Sequence, residues 1–153
     1  MAAYDVSEVE VWAGDIPNRP GTLARVLEAL SDAGAELEFM IARPVDENTS
    51  RVFVAPIKGN KRKQAAQSAG LSPAQGLHSL RVEGPDRPGL GTDITKAIAG
   101  DGINLRGASA AGVGKRAVFY IAIDSPDAVK PARRAVKDAL AGKKGGKKKK
   151  KRA

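Results

Sequence analysis

The segment Pro17-Asn18-Arg19-Pro20-Gly21 returns 68 residues later as Pro85-Asp86-Arg87-Pro88-Gly89, and the register holds well beyond it. Gly34 falls on Gly102 and Leu37 on Leu105, while Val26, Ala29 and Leu30 fall on Ile94, Ala97 and Ile98. Further on, Val52-Phe53-Val54 matches Val118-Phe119-Tyr120 at an offset of 66, so the second copy is two residues shorter in between. Self-similarity at a fixed period means that each copy builds the same supersecondary unit. The chain is therefore expected to fold as two small units, residues 8–72 and 76–141, followed by a tail at 142–153.

Each copy carries the same order of periodicities. Leu23, Val26, Leu27 and Leu30 lie at i, i+3, i+4 and i+7, the apolar stripe of a one-sided helix, and Gly34 supplies the residue that commonly ends one. A helix over about 21–33 follows. Residues 36–44 and 51–58 are apolar and β-branched on either side of the polar Asp46-Glu47-Asn48-Thr49-Ser50, which predicts a hairpin. Its counterpart covers 103–111 and 116–123 around Gly112-Val113-Gly114, and second helices are expected near 60–70 and 126–141. With a strand before each Arg-Pro-Gly, the order is β-α-β-β-α twice, one strand short of a ferredoxin-like unit. The first strands should then lie at exposed edges and pair with each other or with another chain. In copy one the apolar alternation runs through Val9 and Val11, out of phase with Leu80 and Val82 of copy two. A bulge near Ala13-Gly14 or different strand limits would account for that.

The net charge of +9 suggests nucleic acid until it is located. Lys143, Lys144, Lys147 to Lys151 and Arg152 supply eight of those charges, leaving residues 1–142 close to neutral. A domain that tracks a phosphate backbone concentrates basic residues on its own surface, not only on an appendage. The tail is a block of like charges expected to be disordered. It serves either as a solubilising extension or as a non-specific contact to a polyanion such as nucleic acid.

Chemistry other than binding finds little support. The chain has no cysteine and one histidine, His78 in a predicted strand, so no nucleophile–base pair is suggested. No spacing of Asp15, Asp86, Asp93 and Asp101 makes a metal loop. No catalytic residue, metal or cofactor is expected. The N-terminal sequence lacks a basic and apolar leader pattern, and no apolar run reaches the length of a membrane span, which makes a cytoplasmic location the expectation.

The Arg-Pro-Gly segments sit where a strand hands over to a helix. Pro20 and Pro88 suit a first helical turn, and Gly21 and Gly89 allow close approach of a ligand or a second backbone. First-turn N–H groups and the positive end of the helix dipole favour a carboxylate there. A tight turn without a ligand is the plain alternative.

At these residues the chain resembles the ACT domain family of amino-acid-binding regulatory modules. Asp86-Arg87-Pro88-Gly89, Leu90, Ile94, Ile98 and Gly102-Ile103-Asn104-Leu105 match the family pattern, and copy one matches through Asn18-Arg19-Pro20-Gly21, Leu23, Val26, Leu30 and Gly34. The resemblance implies an α+β architecture of two ferredoxin-like, ACT-like β-α-β-β-α units with antiparallel sheets. It also implies an amino acid or related metabolite held at an interface between units, as in a homodimer or other homo-oligomer. The ligand-binding residues so implied are Asp86, Arg87, Gly89, Leu90 and Asn104 in copy two and Asn18, Arg19 and Gly21 in copy one. Glu36 stands where copy two has Asn104, and a carboxylate cannot donate a hydrogen bond to a ligand carboxylate. Copy two is therefore expected to hold the better site, at a mouth between Asp86–Gly89 and Asn104. The expected role is that of a small-molecule-binding regulator. The alternatives are a regulatory subunit of an amino-acid biosynthetic enzyme, or a nucleic-acid-associated adaptor acting through the tail.

Overall fold

The structure, a computed structural model, describes residues 3–74 and 78–142. The tail at 143–153 lies outside them. In chain order the elements are β1 (Asp5–Val9), β2 (Trp12–Pro17), α1 (Thr22–Asp32), β3 (Phe39–Pro44), β4 (Thr49–Ala55), α2 (Asn60–Ser68), β5 (Ser72–Pro73), β6 (His78–Pro85), α3 (Leu90–Gly100), β7 (Leu105–Val113), β8 (Arg116–Ile123) and α4 (Pro126–Leu140). They form two four-stranded antiparallel sheets, ordered β3-β4-β2-β5 and β7-β8-β6-β1. Both orders are ferredoxin-like, and the α+β class read from the sequence holds.

The chain divides into two compact units, residues 9–75 and residues 1–8 with 76–153. In the first, α1 packs its apolar stripe through Val26 and Leu30 onto Trp12, Ile16, Val52 and Val54. The polar α2 buries only Ala66, and the Arg62 guanidinium donates to the Gly34 carbonyl at 2.9 Å where α1 has ended. In the second, α3 and α4 contribute Leu90, Ile94, Ile98, Val129, Ala132 and Val136 to a core with Val6, Leu80, Val82, Ile121 and Ile123. Among the described residues the buried hydrophobic side chains are aliphatic, Trp12 and Tyr120 aside.

Two expectations about edges are corrected. The first strands are not left open: β5 lies beside β2, and β1 lies beside β6. The chain's N-terminal strand thus takes the place that a fourth strand after α4 would occupy. The phase conflict at Val9 and Val11 disappears with it, because β1 ends at Val9 and belongs to the other sheet. No bulge interrupts β2, in which Ala13 pairs with Phe53 and Gly14 with Val52 in continuous register. Trp12 and Ile16 then face the core of their unit as Leu80 and Val82 face theirs, so the 68-residue offset keeps its parity. A Cβ on Gly14 would run into the Gly70 carbonyl oxygen, which is why this strand position is bare.

Candidate functional site

Both Arg-Pro-Gly segments form the same turn. Gly21 has φ 87 and ψ −12, Gly89 has φ 83 and ψ −1, and the amides of Thr22 and Leu90 reach back to the carbonyls of Arg19 and Arg87 at 3.4 and 3.3 Å. These are the dihedrals of the third residue of a type II turn, with proline in its favoured second place. Pro20 and Pro88 therefore precede the helices instead of opening them. A Cβ on Gly21 would meet nothing within 4 Å, and one on Gly89 only the Arg87 guanidinium at 3.8 Å. Glycine is needed here for its positive φ, not to admit a neighbouring group.

The turn aims each helix. In α1 and α3 the first carbonyls to accept helical bonds are Gly21 O, from Arg25 N–H at 3.1 Å, and Gly89 O, from Asp93 N–H at 2.9 Å. The amides of Leu23 and Ala24, and of Gly91 and Thr92, are the first-turn donors that a helix leaves without internal partners. The residue ahead of each turn docks it on the neighbouring hairpin. Asn18 N–H donates to Asn48 O at 2.9 Å and Asp86 N–H to Lys115 O at 2.8 Å.

The side chains differ between the copies. Asn18 is spent on the hairpin, its Nδ2 donating to Glu47 O at 3.3 Å and its Oδ1 accepting from Ser50 Oγ at 3.2 Å. Asp86 lies over Gly112, where a Cβ would stand 2.9 Å from its Oδ2. Arg87 Nη2 donates to Asp93 Oδ2 at 2.7 Å, and that hydrogen bond raises the guanidinium pKa above its ordinary value. Copy one has Arg25 in place of Asp93, and α1 has no acidic residue in its first turn. Arg19 makes no ion pair among the described residues.

Two of the expected site residues lie apart from the exposed surface of the loop. Leu90 is 2% exposed and packed in the core of its unit, so its side chain cannot touch a ligand at the loop. Asn104 immediately precedes β7, whose first residue Leu105 pairs with Ile123 at the His78 end of the sheet, whereas Asp86–Gly89 follow Pro85, opposite Arg116. Seven residue steps of strand, roughly 23 Å, separate the two ends. Asn104 Nδ2 instead donates to Asp124 Oδ2 at 3.0 Å. Asp86, Arg87, Gly89 and the first turn of α3 do come together, as do Asn18, Arg19, Gly21 and the first turn of α1. A single mouth combining Asn104 with the loop of its own unit does not exist. Sequence reasoning also passed over the exchange of Asp93 for Arg25, although the same 68-residue offset displays it.

Among the described residues no group of three or more His, Cys, Asp or Glu side chains could hold a metal, and no helix is long and apolar enough to cross a membrane.

Comparison with known proteins gives the fold an independent anchor. The family model of the ACT domain matches residues 15–69. No curated protein matches the chain. Among solved structures, protein BT0572 from Bacteroides thetaiotaomicron is similar with a TM-score of 0.72 at 12% identity, covering 84% of this chain and 88% of that one. The ligand-free regulatory subunit of aspartate kinase from Thermus thermophilus is similar with a TM-score of 0.62 at 19% identity, covering 89% and 95%. The corresponding regulatory subunit from Thermus flavus gives 0.51 at 21% identity, covering 91% and 96%. At these identities the likeness is one of fold.

Proposed function

We propose that this chain is a non-catalytic regulatory protein of two ACT units that binds a free amino acid or a related carboxylate metabolite. The observation that carries the reading is the Arg-Pro-Gly turn, built twice with the same dihedrals and each time followed by first-turn amides that a helix leaves without internal partners. A carboxylate accepts hydrogen bonds from such amides and is stabilised by the helix dipole. An arginine stands beside them in each copy. The ACT match over residues 15–69 supports the same reading.

Because Asn104 stands at the far end of its own sheet, it meets a loop-bound ligand only across an interface with another copy of the chain. Ligand occupancy then changes self-association, and that is how the signal leaves the site. A homo-oligomer in the cytoplasm, acting on a separate target, is the form this takes. The likeness to two aspartate kinase regulatory subunits favours a second, narrower form of the reading, in which the target is an amino-acid biosynthetic enzyme.

Titration calorimetry of the full chain with each of the twenty amino acids tests the proposal. Saturable heat at millimolar ligand or below is expected for one or a few of them, with a shift in sedimentation on binding. Flat titrations across the panel would leave the Arg-Pro-Gly segments as turns and nothing more.

A further inference from the structure

A cleft of about 510 Å³ lies between β1 and α4, wholly within the unit of residues 1–8 and 76–153. It shares no lining residue with the Arg-Pro-Gly loops. Tyr4 and Val6 form one wall, while Lys130, Arg133, Arg134 and Lys137 line the helix side. These four follow helical spacing, so α4 presents them as one stripe, flanked by the face of Val129, Ala132 and Val136 that is buried in the core. Glu8 and Asp138 are the only carboxylates in the lining, against four cations. Among the described residues none of the four cations has an ion-pair partner. Arg133 is held in place, since its Nε donates to the Val6 carbonyl of the edge strand at 2.9 Å. A guanidinium oriented in this way is prepared for bidentate contact with an oxyanion.

We infer that the β1–α4 cleft is a second ligand site, taking a small phosphate-bearing molecule with an apolar or ring portion, such as a nucleoside di- or triphosphate. The volume falls within the range of small-molecule sites. Four cations on one stripe match an anion with several charges, and each phosphate brings a full charge and multiple acceptor oxygens. A zwitterionic amino acid carries no net charge and would bring its ammonium into a cationic cleft, so this site is distinct in chemistry from the one at the loops. Tyr4 and Leu140, both only partly buried, supply the apolar contact. The near-neutral total of residues 1–142 conceals this concentration of charge on one helix.

The test is calorimetric titration of the full chain with ATP and, separately, with inorganic pyrophosphate. ATP is expected to saturate at one per chain and to bind more tightly than pyrophosphate, because only ATP uses the apolar wall. Arg134→Glu with Lys137→Glu should weaken ATP by at least about tenfold without moving the melting temperature. Should that pair lower the melting temperature, Arg134→Gln with Lys137→Gln is read in its place, with a several-fold loss expected. Replacing Lys147 to Lys151 by serine should leave ATP affinity essentially unchanged. Loss of binding in that tail variant, retention of full affinity in the cleft variants, or non-saturating heat with both anions would overturn the inference. Addition of any amino acid that binds should not displace ATP, so the two sites fail or succeed separately.

Discussion

At the head of α1, Arg19 and Arg25 stand beside a first turn with no acidic residue, while at the head of α3 the equivalent pair is Arg87 and Asp93, joined at 2.7 Å. The backbones of the two turns are nearly superimposable in their dihedrals, so duplication has kept the scaffold and changed the charge. One loop is open to an anion. The other already holds a carboxylate of its own. The expectation drawn from Asn104 and Glu36 ranks the second loop first, whereas the competition of Asp93 for Arg87 argues for the first, and ligand affinity decides between them.

The largest break in the comparison is expected at the first helical residue. Leu90 is buried, and its truncation to alanine should destabilise by about 2–5 kcal/mol through lost burial and a residual cavity. The equivalent Thr22 holds the turn by hydroxyl bonds to Pro17 O at 2.6 Å and Arg19 O at 3.0 Å. Thr22→Ala should cost only about 1 kcal/mol. Chemical denaturation of both variants checks the contrast, and equal losses would mean that Leu90 is not the anchor described.

Next in size, Gly21→Val and Gly89→Val should each destabilise by about 1–3 kcal/mol, because a β-branched residue is forced to positive φ. Similar losses sharpen the comparison by showing that the backbone is the shared part. Differential scanning calorimetry reads it, at about 4–8 °C per kcal/mol for units of this size. Such variants report on folding, and a loss of ligand binding in them says little about the site.

Ligand affinity should separate the copies. Arg19→Ala is expected to weaken the amino acid found by calorimetry by about tenfold, the loss of one charge-assisted contact, and Arg87→Ala by less. Asp93→Asn should strengthen the weaker site by freeing Arg87. If Arg87→Ala proved the more damaging, the charge argument would be wrong and the second loop would be the principal seat.

The smallest effect concerns the cross-strand pairs. Arg51 Nε donates to Asp15 Oδ1 at 2.7 Å and Arg116 Nε to Glu83 Oε1 at 2.6 Å. The hydrogen bond from Arg51 lowers the Asp15 pKa below its usual value. A depressed folded pKa adds stability above the unfolded value, about 3.9, and loses it as pH falls through the folded one. Asp15→Asn should therefore have a lower melting temperature than the parent near neutrality and converge with it in strong acid. Both groups are half-exposed, so the gap will be small.

Periodicity and the internal repeat made most of this fold legible. The stripes of α1 and α4, both hairpins and the helix starts at Arg-Pro-Gly all follow from local rules. The origin of the fourth strands did not, because β1 and β5 are assigned by long-range pairing and β5 has only two residues. The loop residues of the candidate site were equally readable, but the 23 Å to Asn104 was not, since the motif gives sequence order and not the end of the sheet. Lys130, Arg133, Arg134 and Lys137 stand at helical spacing in the sequence, but the near-neutral sum over residues 1–142 hid them. Only the β1 edge beside them turned the stripe into a cleft.

The exchange of β1 also bears on how the polypeptide is made. A ribosome delivers residues 5–9 some seventy residues ahead of their hydrogen-bonding neighbour, residues 78–85. Residues 9–75 can close their sheet during synthesis, whereas the other sheet has to wait for residues 78–123 while keeping residues 5–9 available. Pairings so distant in sequence are slow to form. A fusion partner that traps residues 5–8 should therefore impair folding of the sheet that holds residues 78–123, with residues 9–75 unaffected.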